Sequence, residues 1–159
     1  MTIALKLTHD EPRLVYLALV YHLGRPGSEL DATTKLPVEH GLREVKVALG
    51  RDIERDEAIV ELDEAQYRKL LSAIYGTVNE MRVYHMRNGA ESTVARFTAT
   101  AESLFPEIKD DPDEALAVSE AMMMLHRRIE RAVASANNAR AGEAPADGAP
   151  PRWRLPFRR

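Results

Sequence analysis

The stretch AIVELDEAQYRKLLSAIYGTVNEMRVYH, residues 58–85, decides the fold. Its first five residues read as a strand, and Asp63 with Gln66 has the spacing of a capping box, which opens a helix by satisfying two otherwise orphaned backbone N–H groups. Tyr67, Leu70, Leu71, Ile74, Val78, Met81 and His85 then recur at intervals of three and four, the signature of one buried helical stripe. Asn88-Gly89 is a strong stop signal, and Gly76 in mid-helix marks a kink or a close helix crossing.

The same grammar occurs once before. Residues 3–7 form a short strand with Ile3, Leu5 and Leu7 on one face. Thr8 and Glu11 repeat the capping-box spacing, and Pro12 suits a first helical turn. Residues 14–23 are apolar almost all round, with His22 the only strongly polar member, so this helix is expected at the centre of the domain. Gly24 and Pro26 end it. Shifting the chain by 55 residues lays Leu5 on Val60, Leu7 on Leu62, Thr8 on Asp63, Arg13 on Arg68, Val15 on Leu70 and Leu19 on Ile74. A lone short strand leaves its edges open, so the two are expected to pair as an antiparallel ribbon about a pseudo-twofold axis.

Residues 24–39 carry turn residues without periodicity, a long connection of the kind that is functional or mobile. Leu42, Val45, Leu49 and Ile53 have helical spacing, although Val45, Val47 and Leu49 also alternate as a strand would. The helix is preferred. Ser92 is expected to cap a shorter helix with Val94, Phe97, Ala101 and Leu104 inward, stopped by Pro106. Asp111-Pro112-Asp113-Glu114 opens the last helix, with proline at its first position, acids in its first turn and Arg127, Arg128 and Arg131 towards its far end, which suits the helix dipole. Its apolar residues Ala115, Val118, Met122, Leu125, Ile129, Ala132 and Ala136 alternate three and four, a coiled-coil-like seam. Val118, Met122, Leu125 and Ile129 are therefore the expected interface of a homodimer.

The fold class that follows is α+β and mostly helical: about five helices, an antiparallel ribbon of residues 3–7 and 58–62, and a flexible C-terminal arm. Residues 1–140 form a single domain, 141–151 an Ala/Pro/Gly linker and 152–159 a basic-aromatic peptide.

Composition narrows function by exclusion. The 159 residues are 45% hydrophobic and 30% charged, with net charge -3 and no cysteine. Without thiols there is no disulfide framework, no cysteine-ligated metal and no cysteine nucleophile. The start has no signal-peptide character, and no apolar run reaches the roughly 18 residues of a membrane span. A cytoplasmic address is expected. The charge is uneven: Arg152, Arg154, Arg158 and Arg159 crowd the end, leaving the rest more acidic than the total. The body thus has no field for steering polyanions.

None of the five histidines falls in an HExxH, and there is no glycine-flanked serine elbow, GxxxxGK[ST] or GxGxxG. No cofactor is implied. His126 with Glu130, four apart on one helical face, and His85 from the neighbouring helix are the metal candidates, two or three ligands where a site needs three or four. Glu39-His40 beside the long loop offers a general base with no nucleophile near it in sequence. Met122-Met123-Met124 point in three directions on a helix, so at least one is core and one or two remain to meet another chain. Arg152, Trp153, Arg154, Leu155, Phe157, Arg158 and Arg159 form the most unusual feature, aromatic anchors rimmed by cations on a Pro-rich tether. The function expected is a non-catalytic interaction or adaptor protein, homodimeric, docking a protein partner through that arm. The alternatives are a nucleic-acid- or anionic-surface-associated factor using the same arm, and a metal-dependent enzyme or metal-binding protein.

Overall fold

The structure, a computed structural model, describes residues 2–142, with side chains to residue 139. Strands β1 (Thr2–Thr8) and β2 (Glu57–Asp63) pair antiparallel with Leu5 opposite Val60. Alternation sends Leu5, Leu7, Ala58, Val60 and Leu62 inward and leaves Ala4, Lys6, Ile59 and Glu61 outside. This register is the one a twofold axis through the Leu5–Val60 pair requires. The flanking turns repeat it: the Thr8 N–H donates to Glu11 Oε2 at 2.9 Å, and the Asp63 N–H donates to Gln66 Oε1 at 2.9 Å, 55 residues on.

Helix α1 (Glu11–Gly24) occupies the centre, with Leu14, Val15, Leu17, Ala18, Leu19 and Val20 all buried. The capping box expected at Thr8 is only half built. Asp10 is the N-cap and gives no side-chain bond, while the Glu11 carboxylate is taken by a fork from Arg128, whose Nε and Nη2 each donate at 2.7 Å. Arg128 also donates to the Lys6 carbonyl at 3.1 Å, so one guanidinium ties the last helix to the strand-to-helix turn.

Helix α2 (Leu42–Asp52) buries Leu42, Val45 and Leu49 against α1. Val47, at 56% exposed, settles the ambiguity of its pattern, since a strand would have placed it on the same face as the buried Val45 and Leu49. Helix α3 (Glu64–Met86) starts on the full Asp63–Gln66 capping box and ends where Asn88 and Gly89 turn left-handed at φ 55° and 83°. Gly76 is a close crossing: a Cβ there would collide with the Tyr21 ring of α1.

Two expectations need correction, and one short helix joins the expected set. Ser92 does not cap the next helix: its hydroxyl donates to Glu80 of α3 at 2.7 Å and accepts from the Val94 N–H at 3.1 Å, and α4 (Phe97–Leu104) begins five residues later, after Arg96 at φ 63°. A sixth helix, the single turn α5 (Glu107–Asp110), carries Ile108 into the core beyond Pro106. Pro112 precedes the last helix instead of sitting in its first turn, in a bend closed by the Asp113 N–H on Asp111 Oδ1 at 3.0 Å.

Helix α6 (Glu114–Gly142) packs chiefly on α3 and runs two residues past the expected end at 140. The pairs His85–Asp113, Tyr75–His126 and Tyr67–Glu130 show that the two helices are antiparallel. Towards the end of its stripe the helix buries Val133 and leaves Ala132 exposed, the drift of a 3.6-residue period past a strict heptad.

The junction of α1 with the approach to α4 depends on Gly24, where a Cβ would stand 2.7 Å from the Ala95 carbonyl oxygen and 2.7 Å from Val94 Cγ1. Alanine favours a helix over glycine by about 1 kcal/mol, but overpacking against fixed backbone costs about 1–3 kcal/mol. Gly24→Ala is expected to lower the urea midpoint at unchanged slope; a raised midpoint would show that this contact is slack.

Candidate interaction surfaces

The residues singled out in the sequence are distributed quite differently in space. Val118, Met122, Leu125 and Ile129, expected at a subunit interface, are buried in the chain's own core against α3. That assignment is corrected: a three-four apolar stripe marks a helix that must be covered, and an antiparallel neighbour in the same chain covers this one. The methionine triplet divides as its helical angles require. Met122 is fully buried, Met123 half-buried and Met124 71% exposed.

The metal candidates do not converge. His126 Nδ1 lies 3.4 Å from Glu130 Oε2 and its ring tilts against Tyr75 at 6.4 Å. His85 is ten residues further along α3 than Tyr75, about 15 Å of helix rise. Its Nδ1 stands 3.1 Å from Asp113 Oδ1, near enough for an ion pair but out of line for a hydrogen bond. Glu130 faces Tyr67, whose phenol is pushed up by burial first and by the Glu130 charge second, with Arg68 opposing. Among the described residues no three histidines or carboxylates are placed to share a cation.

Glu39 and His40 are exposed, and His40, at φ 56°, offers its carbonyl to Gln66 Nε2 at 2.5 Å. They serve the entry to α2 and α3. The informative histidine is His22, which the sequence marked only as a polar residue in an apolar helix. Its Nε2 meets Glu29 Oε1 at 2.7 Å with both side chains about nine-tenths buried. A buried polar group needs such a partner. Gly41 leaves room for that carboxylate, since a Cβ there would overlap it. The pair pins residues 24–39 onto α1, and the Leu30–Pro37 bridge closes the loop. At its tip the Asp31 carboxyl is held below its ordinary range by the Thr34 and Thr33 backbone N–H groups and the Thr34 hydroxyl.

Four surface features bear on function. A groove of about 500 Å³ between the start of α1 and the middle of α6 has Leu14, Ala121 and Leu125 in its walls and Met124, Arg127 and Arg131 at its rim. A cleft of about 620 Å³ carries Arg13, Arg96, Thr100 and Ser103 around Tyr16. It continues past Tyr16 into a second hollow with Arg43 and Lys46. The Lys46 ammonium sits 5.4 Å above the Tyr16 ring, and Arg13 is 3.5 Å from Glu54. The fourth feature is a groove of about 310 Å³ between α2 and the outer edge of β2. The arm residues Arg152, Trp153, Arg154, Leu155, Phe157, Arg158 and Arg159 lie outside the described residues.

No family model matches the chain, and neither a curated protein nor a solved structure matches it. Its function is therefore argued from its own residues.

Leu125 and Met124 are neighbours that the fold treats oppositely. Leu125→Asp places an unpaired carboxylate in the core and is expected to abolish cooperative unfolding, a loss above about 3 kcal/mol. Met124→Asp is expected to leave the thermal midpoint of the monomer within about 0.5 kcal/mol of stability. Equal effects of the two on circular dichroism melts would contradict the placement of α6.

Proposed function

We infer that this chain is a non-catalytic interaction protein that pairs with a second copy through the outer face of α6 and docks a protein partner through its C-terminal arm. The observation that carries the pairing is the stripe Leu116, Glu120, Met124, Arg127 and Arg131, spaced four, four, three and four on the side of α6 turned away from α3. Met124, 71% exposed at its centre, is a flexible apolar side chain beside a groove with apolar walls.

The charges along this face change sign about Met124. Two such helices crossing antiparallel set Glu120 of each copy near the Arg127 turn of the other. They also set Leu116 near Arg131, whose alkyl stem can cover it. A face that complements itself under a twofold axis closes a dimer and goes no further. The buried seam of the same helix supplies rigidity, because Met122, Leu125 and Ile129 hold α6 to α3. The cytoplasmic address and the single domain of residues 1–140 belong to this same reading.

A second reading draws on the cleft around Tyr16. Arg13, Arg43, Lys46 and Arg96 there outnumber the carboxylates near them, Glu54 at 3.5 Å and Asp10 at 3.7 Å from Arg13, so an anionic partner has a cationic landing place besides the arm. If the chain is a nucleic-acid or anionic-surface factor, its affinity for duplex DNA or anionic vesicles falls steeply with salt, and Arg43→Glu with Arg96→Glu reduces it. Salt-independent or undetectable binding removes this reading.

Sedimentation and light scattering test the pairing. The wild type is expected to be dimeric, Met124→Asp monomeric with an unchanged fold, and Glu120→Arg weakened. Adding Arg127→Glu to Glu120→Arg is expected to restore the dimer, since the ion pair is then rebuilt with reversed sign. A wild type that is monomeric at high concentration ends the proposal.

A further inference from the structure

The outer edge of β2 leaves a repeating main-chain surface next to apolar side chains. Among the described residues β2 pairs only with β1, in a sheet of two strands. Beside its other edge runs the groove shared with α2, lined on the strand side by the four consecutive residues Ala58, Ile59, Val60 and Glu61. Val45, Ala48 and Leu49 of α2 provide its apolar wall, and Glu44 and Asp52 stand on the helix rim. No lysine or arginine lines it. Of its carboxylates, only Asp52 is engaged, with the exposed Arg55 at 2.9 Å. Ile59, 69% exposed on the outer face next to Glu61, is a large apolar residue in a strand that has no cover there. An acid-rimmed groove along an open strand edge fits an extended peptide that is basic, with apolar side chains at every second position.

The sequence contains such a peptide. In RWRLPFRR, residues 152–159, Trp153, Leu155 and Phe157 alternate with Arg152, Arg154, Pro156 and Arg158. This is a period of two, that of a strand with one apolar face and one cationic face. The position of Pro156 agrees with it. In an edge strand every second residue turns its N–H away from the neighbouring strand, and Pro156 falls in the outward set with Arg154 and Arg158, where a missing donor costs no ladder bond. Residues 153, 155 and 157 are then the ones whose main-chain groups meet β2.

The geometry of the chain allows the return. Because α6 is antiparallel to α3, its last residues lie at the end of the bundle where β2 hands over to α3 at Asp63. From Val133, the last buried residue of α6, to Gly142 is about 13 Å of helix. The nine residues 143–151 span up to about 30 Å, enough to double back over that distance and reach the groove, which lies along a strand about 20 Å long.

We propose that residues 152–159 add to the outer edge of β2 of their own chain as a third strand, with Trp153, Leu155 and Phe157 against the α2 wall and the arginines beside Glu44, Asp52 and Glu61. The ribbon then has a covered edge, and the arm is latched when it has no other partner. This rests on the reading of the arm as a docking peptide and not on the pairing through α6, which Met124→Asp removes without touching the groove.

Trp153 is the only tryptophan, so the full-length protein carries its own probe. At low salt its emission is expected to be blue-shifted, with anisotropy close to that of the folded body and unchanged on dilution. Glu44→Lys with Glu61→Lys, both at exposed positions, is expected to shift the emission to that of a hydrated indole and to lower the anisotropy. Adding Arg154→Glu and Arg158→Glu to that variant is expected to restore both signals, which general destabilisation would not do. The latch is refuted by a wild type whose Trp153 already emits as a free peptide, by signals indifferent to the charge reversals, or by signals that fade on dilution, since those come from a second copy. Measuring the Met124→Asp variant in parallel separates failure of the latch from failure of the dimer.

Discussion

Helix α1 has no polar face, and everything around it follows from that. A two-stranded ribbon can cover one side of such a helix, so α2, α3, α4 and α6 must each take another. Where polarity does enter this helix it is answered at once. His22 is closed by Glu29, and Glu11, at the first turn, is gripped by both arms of the Arg128 guanidinium. Each of these bonds brings a distant segment onto α1, the loop before α2 in one case and the middle of α6 in the other. Satisfying a buried polar group is thus also how the outer elements find their place.

The strands, their pairing and the two long helices were legible because local signals agreed with the tertiary demand. Asp63 and Gln66 form the capping box their spacing announces, and Asn88-Gly89 ends α3 where expected. The failures share a physical cause, competition from residues far away in sequence. Glu11 takes the Thr8 N–H but is also forked by Arg128, and the Ser92 hydroxyl donates to Glu80. The α6 seam is a case where the pattern was right and the partner wrong. Periodicity reports which face of a helix is covered but is silent on whether the cover comes from the same chain. His85 and His126 illustrate the same limit, since positions on adjacent helices can lie three turns apart once the register of packing is known. The Met124 face was foreseen only as one or two methionines left over, and the cleft around Tyr16 not at all. Its cations come from α1, α2 and the turn before α4, with no spacing in sequence to connect them.

The surfaces that remain are of distinct chemistry. The outer face of α6 combines a bare thioether with charges of both signs, the hollow at Tyr16 is cationic, and the edge of β2 is acidic with an apolar wall. A body that separates charge in this manner can hold two basic or acidic segments in different places without confusing them, since like charge at the wrong site repels. The interaction reading thus has three independently addressable regions on one rigid core.

The grip of Arg128 on Glu11 spans 117 residues of the chain, and it has a consequence for synthesis. As the chain leaves the ribosome from its amino end, α1 and α3 emerge with one flank bare, before the helix that seals them. Until then α1 and α3 display leucine and isoleucine that α6 later covers, the kind of surface that makes a partly synthesised chain prone to association.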